Sequence, residues 1–187
     1  MKKTTTILIG VFVIILLIAG YFISSYNGIV AAEEEVDAQF AKVETQLQRR
    51  FDLIPNLVSA TQGYMQHEKD VFTAIADARS KLAGATTVND KVEASNELEG
   101  ALSRLLVVVE NYPELKADKQ FTALMDELAG TENRIATERN RYNESVQTFN
   151  AKIRKFPTSF IASIMGVEKR DYFEAQAGTD QAPSVNF

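Results

Sequence analysis

The strongest constraint on this chain is the spacing of its seam residues, mostly apolar with a few polar members. Val36, Phe40, Val43, Leu47, Arg50, Ile54, Leu57, Thr61, Tyr64, Glu68, Val71, Ile75, Ala78 and Leu82 follow one another at alternating intervals of four and three. A second such series runs Phe121, Met125, Leu128, Glu132, Ile135, Arg139, Tyr142, Val146, Phe149, Ile153 and Phe156. Four-three alternation places every member on one stripe of an α-helix, the seam of a bundle or coiled coil. Between the two series, Val88, Val92, Leu98, Leu102, Leu105, Val109 and Tyr112 mark another helix. No stretch alternates with period two for long enough to form a strand, so the predicted fold is all-α.

Prolines and small polar residues punctuate these helices. Gly84-Ala85-Thr86-Thr87 predicts a turn, with Thr87 or Asn89 capping the helix that follows. Pro113 and Pro157 are expected to end the two later helices. Pro55 admits two readings. It removes an N–H from a helix, yet the seam keeps its phase through it, as in a kinked continuous helix. A break there instead yields segments of roughly 25, 27, 25 and 42 residues, well matched to an antiparallel up-and-down four-helix bundle. The four-segment bundle is the expectation carried forward.

The residues before the bundle belong to a different solvent. Ile7 to Ile23 reads ILIGVFVIILLIAGYFI, without a charge or a strong polar group. Seventeen residues rise about 26 Å, and flanking Thr and Ser extend the run over residues 4–25 toward the roughly 30 Å hydrocarbon thickness. A cleaved signal peptide would have a shorter core with a small-residue cleavage site just after it, and neither is present. The expected organisation is a short N-terminus and transmembrane anchor over 1–25, a helical domain over 26–157 and a C-terminal segment over 158–187. Lys2 and Lys3 precede the span, whereas Glu33, Glu34, Glu35 and Asp37 follow it. The positive-inside rule then predicts a single-pass membrane protein, its N-terminus cytoplasmic and its domain outside.

Composition narrows the chemistry. Past Ser25 there are 18 basic and 25 acidic residues, a net −7, and no basic stripe for counterion displacement, so nucleic acid is not an expected partner. Without cysteine there is no thiol nucleophile or zinc–thiolate site, and one histidine cannot make a two-His metal site. His67-Glu68 lacks the second histidine of a zincin, and no phosphate-cradling glycine loop is present. Neither a catalytic residue nor a cofactor is expected. The charged seam residues Arg50, Glu68, Glu132 and Arg139 read as salt-bridging groups that specify register.

Two apolar features need covering. The last long helix outruns its neighbours, leaving a stripe of Tyr142, Val146, Phe149, Ile153 and Phe156. The membrane-proximal helix, the segment after Pro157 or a second copy would bury it, and the stripe is the sequence argument for a homo-oligomer. In the C-terminal segment Phe160, Ile161, Ile164 and Met165 have helical spacing, which predicts a short helix folding back on the bundle. The rival reading is a membrane foot, supported by Lys152, Arg154 and Lys155 but opposed by a net −1 over residues 158–174. Gly178 to Phe187 reads as a mobile tail.

Several runs together resemble the LemA family. They are Arg49-Arg50-Phe51-Asp52-Leu53-Ile54-Pro55-Asn56-Leu57-Val58, Gly63-Tyr64, His67-Glu68 and Ala78-Arg79. The resemblance continues in Glu110-Asn111-Tyr112-Pro113-Glu114-Leu115-Lys116-Ala117, Thr131-Glu132-Asn133-Arg134-Ile135 and Arg141-Tyr142-Asn143 through Phe149-Asn150 to Phe156-Pro157. It covers about Tyr26 to Phe173. It implies a bacterial single-pass membrane protein with a long-helix antiparallel bundle and no agreed activity, so no catalytic residue carries over. Descriptions of that family place the domain inside the cell, whereas Lys2 and Lys3 favour the reverse. Within the shared motifs, Arg50, Asp52, Asn56, His67, Glu68, Arg79, Glu132, Arg139 and Asn143 are candidates for a structural polar network. The functional expectation is a membrane-anchored scaffold or adaptor that self-associates or docks a membrane-protein partner, without catalysis. The alternative is a membrane-bound sensor or ligand-binding domain.

Overall fold

A computed structural model describes residues 2–65 and 67–173. Among these residues the chain is all-helical, with six helices and no strand. They are α1 (Lys2–Gln62), α2 (Lys69–Gly84), α3 (Val88–Val109), α4 (Pro113–Lys116), α5 (Lys119–Arg154) and α6 (Thr158–Met165). The chain divides into two compact units. One comprises Met1–Gln39 with Tyr142–Arg170, and the other Phe40–Arg141 with Asp171–Phe187. The tail expected over 178–187 lies outside the described residues.

The predicted break at Pro55 is not there. α1 runs through Pro55 as one helix of 61 residues. The proline sits on an exposed face, while Ile54 and Leu57 on either side are buried in the same core. The lost N–H thus costs one helical bond on the outside, and the seam holds the helix together on the inside. The break falls instead at residues 63–68, where the periodicity shows no gap. Tyr64, a seam position, is 40% exposed, and Met65 one residue later is fully buried. Met65 takes over because the chain leaves the helix there, closing on Thr61 through Tyr64 N and Met65 N, each 3.0 Å from the Thr61 carbonyl.

In the unit built on Phe40–Arg141, α2 and α3 form a helical hairpin. Thr87 caps α3 in a capping box: its hydroxyl accepts from Asp90 N at 3.1 Å, and Asp90 accepts from Thr87 N at 3.3 Å. A cap of this kind contributes about 1 kcal/mol. Ile75, Ala78, Leu98, Leu102 and Leu105 share one core with Ile54 and Leu57 of α1 and Leu128 of α5. Burying each large aliphatic side chain is worth about 1.5–3 kcal/mol, which outweighs the cap and fixes the hairpin. Pro113 opens the one-turn α4, whose Leu115 enters the same core. Asp118 caps α5 by accepting from Gln120 N at 2.8 Å and Phe121 N at 3.0 Å.

In the other unit, Ile29 and Val36 of α1 and Tyr142, Val146, Phe149 and Ile153 of α5 are buried. Four members of the predicted self-association stripe are therefore covered by the chain itself. Their burial calls for no second copy, because the N-terminal part of α1 and the segment after Pro157 belong to the same compact unit. Phe156 differs, being 87% exposed. A polar strap closes this unit. The buried Asn150 donates to the Arg170 carbonyl and accepts from Arg170 N, both at 2.9 Å. The Arg170 guanidinium donates to Glu33 at 2.9 Å and to Asp37 at 3.4 Å. α6 ends on Gly166, whose φ of 67° lies in the left-handed region, and Val167 N closes the turn on the Ala162 carbonyl at 3.1 Å.

Candidate functional site

The seam of α1 puts an arginine where a bundle wants a hydrocarbon. Arg50 is fully buried, three residues past Leu47 and four before Ile54. A charge in that position must be paired and hydrogen-bonded to be tolerated. Arg50 Nη1 donates to both carboxylate oxygens of Glu132 on α5, at 3.1 and 3.2 Å. Its Nη2 donates to the Ser95 hydroxyl at 2.5 Å and to the Ser95 carbonyl at 3.2 Å, both on α3. Only Nε is left without a protein partner.

A second guanidinium meets the same serine. Arg139 Nη2 donates to Ser95 Oγ at 2.7 Å, and Nη1 lies 3.8 Å from Glu99 Oε2. The Phe173 ring stacks on its guanidinium, 4.3 Å from Cζ to the ring centre, and is itself buried. Burial, and then the neighbouring Arg50 charge, hold the Arg139 guanidinium below the ordinary arginine range, while Glu99 and Glu132 oppose that shift. An arginine still keeps its proton. Two cations and two carboxylates thus converge around one hydroxyl. The group ties α1, α3 and α5 together, with the Ser95 hydroxyl engaged by both guanidiniums.

The other candidate residues fall elsewhere. Arg79 lies over the Phe51 ring at 4.0 Å, a cation–π contact between α2 and α1. Glu68 accepts from the Tyr112 hydroxyl at 3.2 Å, joining the entry of α2 to the chain just past α3. Partial burial, together with that carboxylate, raises the Tyr112 phenol above its ordinary range. Asp52 accepts from Gln48 at 2.8 Å on the surface of α1. Asn56 and His67 are exposed, and Asn143 is partly buried in the unit containing the α5 C-terminal half. Among the described residues no three His, Asp or Glu side chains are grouped to hold a metal.

Ser95, Glu99 and Phe173 are the members that the sequence reading missed. Ser95 had a signal: the apolar series of α3 skips from Val92 to Leu98, and Ser95 stands in the gap at the seam position. A small residue is needed there because two guanidiniums occupy the space a leucine would fill. Phe173 gave no periodic signal, since it follows the end of α6 in irregular chain.

A model of the LemA family matches residues 39–187. Two magnetosome proteins of Paramagnetospirillum magneticum, MamQ 1 and MamQ 2, are each 29% identical over 181 residues, covering 83% of this chain and 66% of the relative. Protein LemA of Metamycoplasma hominis is 23% identical over 155 residues, covering 82% of this chain and 71% of the relative. The chain therefore spans just under two thirds of the length of the magnetosome relatives. All nine candidate polar residues lie inside the region matched by the family model.

Proposed function

The chain belongs to the LemA family, and on that premise we propose that it is a membrane-anchored helical scaffold that docks a protein partner at the bilayer. One observation carries the reading. α1 is a single helix holding both the apolar segment and Arg50, so anchor and domain share one continuous backbone with no linker. Its N-terminal part is long and apolar enough to cross a membrane, and every large apolar side chain from Ile7 to Ile23 is exposed. Water is a poor solvent for such a surface and lipid a good one. In this reading residues 26–157 form an antiparallel up-and-down bundle whose first turn is at 63–68, and the buried arginine group serves its register. Self-association is a second mode of the same scaffold.

The orientation proposed is N-terminus inside and domain outside, from Lys2 and Lys3 against Glu33, Glu34, Glu35 and Asp37. Full-length protein in bacterial membranes tests the reading in two steps. It should resist carbonate extraction, and its domain should be digested by protease added to spheroplasts. Release by carbonate refutes the anchor; a protected domain reverses the orientation. Photo-crosslinkers on the exposed faces of α2 and α3 in intact membranes should yield discrete adducts. A chain that stays bare and monomeric there is no scaffold.

A further inference from the structure

The contacts of α5 and α6 walk along α1 into its apolar segment. Lys152 Nζ donates to the Gly28 carbonyl at 2.5 Å. Thr158 accepts from the Ser25 hydroxyl at 3.3 Å and lies 3.5 Å from the Tyr21 hydroxyl. The Phe160 ring then meets Phe22 edge-on, with centroids 6.5 Å apart. Phe156, Pro157 and Phe160 form a groove with Leu17, Ile18 and Phe22. Gly28 to Leu17 is about 16 Å along the helix axis at 1.5 Å per residue. Leu17, Ile18 and Phe22 lie inside the uncharged run that ends at Ile23, so whatever solvent surrounds them also surrounds Phe156 and Phe160.

We infer that α6 is a lipid-embedded foot, seated in the acyl chains of the leaflet on the domain's side of the membrane, beside the transmembrane part of α1. The inference rests on the reading of α1 as an anchor. Phe160 and Ile164 of α6, spaced by four, are 61% and 66% exposed and Phe156, just before the helix, is 87% exposed, while Ile161 and Ala162 are buried. This exposed apolar surface is continuous, through the Phe22–Phe160 contact, with the exposed apolar surface of the span. The eight residues of α6 carry no charge and are too few to cross a bilayer, so the helix lies in one leaflet. Its C-terminus is closed by the Gly166 turn, and Thr158 finds Ser25 and Tyr21, as polar groups in lipid must find partners. Arg154 and Lys155, exposed just before Phe156, sit where phosphate head groups begin. The net −1 of the segment misleads because its acidic residues all follow α6, and Arg170 is paired with Glu33 and Asp37.

The chain has no cysteine, so single substitutions report cleanly. Full-length protein with F160C or I164C, labelled with an environment-sensitive fluorophore, is reconstituted into phosphatidylcholine–phosphatidylglycerol vesicles with brominated acyl chains. L16C in the span and D126C on exposed α5 are the references. The labels at 160 and 164 should be quenched by bromolipid severalfold more than at 126, approaching the label at 16, and should be shielded from aqueous iodide. Iodide access at 160 and 164 with lipid quenching at 16 overturns the foot alone. Shielding from both quenchers means a protein surface covers α6 and also overturns it. Absence of lipid quenching at 16 overturns the anchor and the foot together.

Discussion

Arg50 and Arg139, on α1 and α5, donate to the same oxygen, the hydroxyl of Ser95 on α3. Like charges are brought together in a protein interior only when something between them rewards both. Here a hydroxyl accepts from each, and Glu132 and Glu99 supply the opposite charge. The arrangement makes Ser95 the centre of the cross-link between three helices.

Replacing Ser95 with alanine should therefore cost about 1–3 kcal/mol, the usual penalty for stranding buried donors. Arg139→Met in the Ser95→Ala background should cost less than Arg139→Met alone, because the shared acceptor is already gone. Urea unfolding of the full chain in mild detergent, followed by circular dichroism, measures both. Strict additivity would show that the two arginines are not coupled through the serine.

Glu132→Gln should destabilise by about 3 kcal/mol, the lower end for breaking a buried pair, since Glu132 is one-third exposed while Arg50 is fully buried. The pair Arg50→Met with Glu132→Met should be nearly neutral, as apolar replacements of buried ion pairs commonly are. A double variant as unstable as Glu132→Gln would mean that the pair itself contributes net stability.

Pro55→Ala should stabilise the domain, by up to about 3 kcal/mol, because the helix continues through this position and regains a backbone bond to Phe51. The thermal midpoint should rise with the helical signal unchanged or slightly stronger. A fall in the midpoint would show that the proline is needed for a bend.

Phe149→Ala should cost about 3–5 kcal/mol, since the ring is fully buried within its own chain. Its copy number in detergent, measured by light scattering, should match that of the parent protein. Dissociation without loss of folded-state stability would return the stripe to an intermolecular role.

The cap of α5 makes stability depend on acid. The Phe121 N–H holds the Asp118 carboxyl below the usual carboxylate range against its partial burial, helped by the Gln120 N–H and the Tyr64 hydroxyl. With the folded value lower than the unfolded one, the unfolded chain binds the extra proton. The contribution is complete above the unfolded value, about 3.9, and is lost as pH falls through the folded value. Asp118→Asn keeps a capping oxygen without the charge. Its stability deficit relative to the parent should shrink as pH drops below about 4, and parallel pH profiles would refute the charge contribution.

How much was legible follows from the range of each interaction. Helix identity is a matter of spacing within a few residues, so the seams, a cap at Thr87 or Asn89 and the apolar run were readable from the sequence. Pro55 misled because a proline on an exposed face costs one bond, and the packing of Ile54 and Leu57 outweighs it. The break at 63–68 was invisible because Tyr64 keeps the four-three spacing, although Met65 fills the core. Arg50 and Glu132 each stood out as seam charges, but their pairing spans 82 residues of chain and depends on how α1 and α5 align.

By itself the sequence determined the helical character of the described residues, an apolar leading segment, an acidic balance past that segment and a composition with one histidine and no cysteine. Those are properties of composition and of periods shorter than two helical turns. Only the tertiary structure decided that two arginines share Ser95, that Tyr142, Val146, Phe149 and Ile153 are buried by their own chain and that α6 lies against the apolar part of α1. Each depends on which helix faces lie opposite one another, a choice made by the summed burial of distant side chains.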